Sequence, residues 1–135
     1  FIAPIVAAKM KDQRSLILMT TVSYVLGIFG FLLANGSLPI IILAIVFFSL
    51  SGGFSFSLIM MFFSLRTQSA AEAADISGMA QSVGYLLAGC GPLAFGALHD
   101  ATGGWNTPYY VMFGIVAVYL LTGLGAGRGG RFVHE

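Results

Sequence analysis

The sequence predicts a polytopic, all-α bundle of transmembrane helices, and three observations carry that expectation. Of its 135 residues, 58% are apolar and the mean hydropathy is +0.94. Only 8% are charged, against roughly 25% in an ordinary soluble domain. The apolar residues fall in runs near the ~20 residues that one helical crossing needs, without the period-two alternation of a membrane β-strand. Six Lys and Arg with five Asp and Glu cannot supply the charged shell of a soluble fold. A cytosolic enzyme, a nucleic-acid binder and a disordered tail are therefore excluded. A single cysteine allows no internal disulfide, and no cluster of metal ligands stands out. No cofactor, metal or catalytic residue is expected.

Residues 1–8 are apolar and begin at Phe1 rather than Met. They are too short for a signal peptide and read as the last turns of a truncated helix, which makes the N-terminal helices of the same chain an expected partner. Residues 9–14 form a polar loop. From Ser15 to Leu65 no residue is charged; as one helix that run would reach roughly 75 Å at ~1.5 Å per residue, against a hydrocarbon core of about 30 Å. It must turn back, and Asn35-Gly36-Ser37-Leu38-Pro39 offers the turn residues. Spans are expected at 15–34 and 38–65, joined by an outer loop at 35–37; the second is long enough to tilt, kink or project. A third span is expected at 76–98, after a loop at 66–75 and before an outer loop at 99–107. A fourth is expected at 108–127, opening on Pro108, where a missing N–H does no harm, and followed by a tail at 128–135.

Lys9, Lys11 and Arg14 precede the first span, Arg66 follows the second, and Arg128 and Arg131 follow the fourth. Four crossings put all six basic residues on one side, which the positive-inside rule makes the cytoplasm. The expectation is a multi-pass protein of the cell (inner) membrane with loops 9–14 and 66–75 and the C-terminus cytoplasmic. Trp105, Tyr109 and Tyr110 suit the outer aromatic belt.

No Asp, Glu, Lys or Arg lies within a span, so no buried proton-coupling carboxylate is expected here. Within the third span Gly84, Ala88, Pro92 and Gly96 recur every four residues and share one face. Such a stripe brings helix backbones close, and Pro92 beside Gly89 and Gly91 invites a bend; close packing and a flexing helix are both open. Gln81 and Tyr85 share a face one turn apart, either bonding a neighbouring helix or lining a cavity. Ser51 and Ser55 stack on the second span beside the hinge-like pair Gly52 and Gly53, with bonds to their own preceding carbonyls as the simpler reading. Met60, Met61, Phe62 and Phe63 read as lipid-facing bulk, Cys90 as a small buried residue, and His99 and Asp100 as interfacial.

Two segments resemble a known family. Residues 8–14, Ala-Lys-Met-Lys-Asp-Gln-Arg, resemble the cytoplasmic loop motif of the major facilitator superfamily through Asp12 and Arg14, with Ala8 in place of its glycine and Gln13 in place of its first basic residue. Residues 76–88, Ile-Ser-Gly-Met-Ala-Gln-Ser-Val-Gly-Tyr-Leu-Leu-Ala, continue through Gly91-Pro92-Leu93, Phe95-Gly96, His99-Asp100 and Gly104-Trp105. That stretch is similar to the next-to-last helix and following outer loop of the cyanate-permease and nitroimidazole-exporter branch of the superfamily. The resemblance implies the end of helix 8 and helices 9–12 of a twelve-helix secondary transporter. It implies alternating access for a small solute, a small anion or a heterocycle, with Ser51, Ser55, Gln81 and Tyr85 near the substrate. A stand-alone four-helix membrane subunit with a structural or assembly role is the alternative. An integral membrane enzyme would need a cluster of reactive groups at one depth, which His99 beside Asp100 does not provide.

Overall fold

The computed structural model describes residues 13–127. Among them are four α-helices: α1 (Arg14–Leu33), α2 (Leu38–Arg66), α3 (Ala70–Thr102) and α4 (Asn106–Ala126). Each is long and apolar enough to cross a membrane, so the fold is an all-α bundle of transmembrane helices. Residues 1–8, Lys9, Lys11, Asp12, Arg128 and Arg131 lie outside the described residues.

Local chemistry accounts for the helix ends. Asn35 (φ 40°) and Gly36 (φ 81°) adopt the left-handed conformations of a tight turn, which asparagine and glycine tolerate best. The Ser37 N–H closes the turn on the Ala34 carbonyl at 2.6 Å. Pro39 then sits in the first turn of α2, where its missing N–H leaves nothing unsatisfied.

The helix α3 is longer than expected. The loop expected at 66–75 shrinks to residues 67–69, and the one at 99–107 to residues 103–105. At its start the Glu72 N–H donates to Ser69 Oγ (3.1 Å) and Glu72 Oε2 accepts from the Gln68 N–H (2.7 Å), a variant of the reciprocal capping box. Alanine-rich residues follow, with the highest helix propensity. At its end Gly103 (φ 69°) returns its N–H to the His99 carbonyl at 2.9 Å in a left-handed cap. Thirty-three residues extend to about 50 Å, well beyond the apolar run. A membrane helix ends at its caps rather than where its hydrophobicity stops. Neither proline nor the glycine pair breaks the helices: α3 is continuous through Pro92 and α2 through Gly52 and Gly53. Proline removes only its own N–H from the ladder.

Helix α1 is the centre of the packing, against α2 on one side and α4 on the other. Glycines set both approaches. A Cβ at Gly30 would lie 2.7 Å from Ala44 Cβ, and one at Gly27 would lie 3.0 Å from Phe48 Cβ. On the α4 side, Cβ atoms at Gly123 and Gly127 would each come within 2.8 Å of the Ile17 side chain. Ile17 is fully enclosed and clusters with Leu58, Met61 and Phe62. Met61 and Phe62, read from sequence as lipid-facing, are therefore core residues of α2, because they fall on the same helical face as Ser51, Ser55 and Leu58.

The start of α1 and the ends of α2 and α4 meet at one end of the bundle. The Gln13 N–H donates to the Gly127 carbonyl (3.2 Å), and Arg66 Nη2 donates to Gln13 Oε1 (3.0 Å). Arg66, expected at the start of a solvated loop, is instead the buried last residue of α2. Its guanidinium lies 5.8 Å from the Phe62 ring centroid, so both the amide and the ring offset its burial.

Among the described residues α3 buries none of its own side chains. Cβ atoms at Gly84, Gly89, Gly91 and Gly96 would meet nothing within 4 Å among the described residues. Cys90, expected to be buried, is exposed for the same reason.

Candidate functional site

Among the described residues, two groups of uncharged polar side chains are of interest, one inside the packing of α1, α2 and α4 and one on the side of α3 that faces α2. The first joins α1, α2 and α4. Ser55 Oγ donates to the Tyr119 hydroxyl at 2.9 Å, and that hydroxyl lies 2.9 Å from Thr20 Oγ1. Thr20 spends its own proton on the Ile17 carbonyl (2.9 Å). With one proton per hydroxyl, the direction follows: Ser55 donates to Tyr119, Tyr119 to Thr20, and Thr20 to the backbone. Such a chain is mutually polarising in an apolar interior. Ser51 stands one turn before Ser55 and bonds the Phe47 carbonyl at 2.7 Å.

Tyr119→Phe removes the middle link of this chain. Membrane hydrogen bonds are worth about 0.6–2 kcal/mol. The expected result is a fall in thermal midpoint of the purified protein, with a double-mutant cycle against Ser55→Ala showing coupling; additive effects would mean that the link carries no energy.

The second group faces a cleft of about 330 Å³ between α2 and α3. Phe56, Met60 and Phe63 form its α2 wall, and Gln81, Gly84 and Tyr85 belong to its α3 wall. The lining carries no charged side chain among the described residues. Gln81 Nε2 donates to Ser77 Oγ at 2.7 Å, which holds the amide on its own helix with its carbonyl oxygen turned to other partners. Tyr85 is 66% exposed, so its hydroxyl is reachable. Ala80, Gly84 and Ala88 repeat at four-residue spacing and give this wall a low, flat surface. The volume lies at the lower end of the range for small-molecule pockets.

The four residues expected near a cavity are thus divided. Gln81 and Tyr85 share the cleft; Ser51 and Ser55 are turned away into the packing against α1 and α4. Gly52 faces the Tyr24 hydroxyl, 3.7 Å from where a Cβ would stand, and Gly53 meets nothing within 4 Å among the described residues. Arg14 opens α1. At the opposite end His99 Nδ1 lies 3.2 Å from Asp100 Oδ1, and the His99 ring lies 4.5 Å from the Trp105 ring. Thr20, Tyr24 and Tyr119 were not singled out from sequence. A tyrosine in the interior of an apolar helix, as Tyr24 and Tyr119 are, is the signal that points to such a hub.

The geometry describes a multi-pass membrane bundle with an uncharged cleft of small-molecule size. Comparison with known proteins places transporters beside it. The chain is 37% identical over 135 residues to an uncharacterized transporter, YycB, of Bacillus subtilis (strain 168), covering 100% of this chain and 33% of that protein. It is 38% identical over 130 residues to a 2-nitroimidazole transporter of Escherichia coli (strain K12), covering 93% of this chain and 31% of the relative. The chain spans about a third of the length of these relatives. No protein-family profile matches it, and no solved structure does.

Proposed function

We propose that this chain supplies the last four membrane helices of a secondary transporter of the major facilitator type, which moves a small solute by alternating access. The observation that carries the reading is the α2–α3 cleft, where an amide and a phenol stand over a flat wall of small residues. A slot of that shape suits a thin, planar solute, and one relative is named for a nitroimidazole. Two helix bundles rocking about a midplane site would expose such a cleft to each side in turn. The exposed face of α3 would then meet the solute and the helices of the remaining chain, and the Arg14–Arg66 end would face the cytoplasm of a cell-membrane protein.

Transport of 2-nitroimidazole by the intact protein tests this directly, in cells or in vesicles. Gln81→Ala removes one polar partner of the solute, and a lost hydrogen bond of about 1 kcal/mol corresponds to roughly a fivefold change in affinity. The expected result is a KM raised by about that factor with the amount of protein in the membrane unchanged. A fall in protein amount with KM unchanged would make Gln81 a packing residue.

A further inference from the structure

Residues 34–37 connect α1 to α2 at the end of the bundle opposite Arg14 and Arg66. No residue from Ser15 to Leu65 is charged, so this turn is neutral. We propose that Asn35 is a site of spontaneous deamidation, which converts the neutral turn into an anionic one. The step involves only this chain and water, and is independent of what the protein transports.

The chemistry needs a carboxamide, a following backbone nitrogen that can reach it, and water. The Gly36 nitrogen attacks Asn35 Cγ and gives its proton to solvent. The Cγ–Nδ2 bond breaks, and ammonia leaves after gaining a proton from water. A five-membered cyclic imide remains. Water opens it at either carbonyl, giving aspartate or a form whose main chain runs through the β-carbon. One water is consumed, one ammonia is released, and nothing is oxidised or reduced.

The turn meets each requirement. A connection between two membrane-spanning helices cannot lie in the hydrocarbon, where its unpaired backbone groups would find no partner, so water reaches it. Asn35 and Gly36 are both exposed. Gly36 has no side chain to shield its nitrogen, and a Cβ there would meet nothing within 4 Å among the described residues. The backbone therefore has room to rotate as the ring closes, with the freedom that glycine allows. The turn is closed by the Ser37 N–H on the Ala34 carbonyl. That bond engages neither the Gly36 nitrogen nor the Asn35 amide, and neither has another partner among the described residues. The other asparagine of this chain, Asn106, is an internal control. It opens α4 and is followed by Thr107, whose branched β-carbon crowds the attacking nitrogen and whose backbone is fixed in the helix. The product at Asn35 would be the one charge between Arg14 and Arg66. Its β-linked form would add a carbon to the main chain close to the tight Gly30–Ala44 contact.

The test is peptide mass spectrometry of the intact protein, aged while folded in lipid nanodiscs in mildly alkaline buffer made with heavy-oxygen water. The label separates conversion during ageing from conversion during digestion. A synthetic peptide of residues 30–41 is aged beside it as the unstructured reference. The expected result is a labelled carboxylate that accumulates at Asn35 as both aspartyl and β-linked products, with at least ~10-fold less at Asn106. Gly36→Ala should slow the conversion at least ~10-fold by shielding the nitrogen. Asn35→Gly, which suits the left-handed turn, should abolish it. Folded protein that keeps the Asn35 amide while the peptide converts would overturn the proposal, because the turn would then protect the amide. So would conversion only after denaturation, equal conversion at Asn106, or a rate unmoved by Gly36→Ala.

Discussion

Replacing Gly30 with leucine is expected to prevent the intact protein from reaching a folded state that survives detergent extraction. The added Cβ alone would stand 2.7 Å from Ala44 Cβ and 3.3 Å from Ala44 Cα. The helices are also close one turn earlier, where a Cβ at Gly27 would stand 3.0 Å from Phe48 Cβ and 3.2 Å from the Ala44 carbonyl. The two helices must separate along the contact. In lipid, where no hydrophobic force draws helices together, close approach is the main source of their attraction. Overpacking in a core costs about 1–3 kcal/mol and sometimes more. Gly30→Ala is the graded version, with a smaller loss. Because its nearest obstacle is a single methyl, Ala44→Gly should restore much of that loss, leaving the Ala44 Cα at a distance that a small shift relieves. Monodisperse yield and thermal midpoint report all three variants. A stable Gly30→Leu protein, or an Ala44→Gly that fails to compensate Gly30→Ala, would show that α1 and α2 do not meet at these residues.

Gly30 also marks the limit of what the sequence makes legible. Charge-free length and turn chemistry lead to the four expected spans and the turn at Asn35–Gly36, and among the described residues a helix overlaps each of those spans. Contact partners do not follow, because nearly every residue in these helices is apolar and one apolar face resembles another. The small-residue stripe that stood out, Gly84 to Gly96 on α3, is open among the described residues. The tight helix contacts use Gly27, Gly30, Gly123 and Gly127, spaced three or four apart but lacking a proline to draw attention. Likewise Ser51 and Ser55 share a face, as four-residue spacing requires, yet spacing does not say which neighbour that face meets. The answer lay in Tyr119, 64 residues away from Ser55 in sequence.

The Ser55 and Gln81 groups lie in different parts of the bundle. The Ser55–Tyr119–Thr20 chain ties α1, α2 and α4 into one packed unit. Helix α3 stands outside that unit, with Gln81 held, among the described residues, by Ser77 of its own helix. A polar side chain bonded along its helix keeps its other lone pairs for a partner that arrives. On the proposed function, the α3 wall of the cleft is the place where a substitution would separate transport from folding.

Gly84→Leu is the substitution that does so, and its expected result is the reverse of that at Gly30. Nothing among the described residues lies within 4 Å of a Cβ at Gly84, so the folded bundle does not exclude the larger side chain. The isobutyl group would instead project into the α2–α3 cleft, between Gln81 and Tyr85 on its own helix and towards Phe56, Met60 and Phe63. If a solute uses that slot, the leucine occupies it. On the proposed function, membrane-inserted protein and thermal midpoint should stay near the parent values while any transport of 2-nitroimidazole falls at least ~10-fold, equivalent to about 1.4 kcal/mol of lost solute binding. Gly84→Ala, adding one methyl to an open surface, should retain most of the rate. Two other outcomes are informative in opposite ways. Unchanged transport in the leucine variant would turn this face of α3 towards lipid and remove the cleft from the transport path. Loss of folded protein together with transport would make Gly84 a contact for helices beyond residues 13–127, a role that small residues at four-residue spacing fill elsewhere in membranes. Measuring amount and rate on the same preparation separates the three.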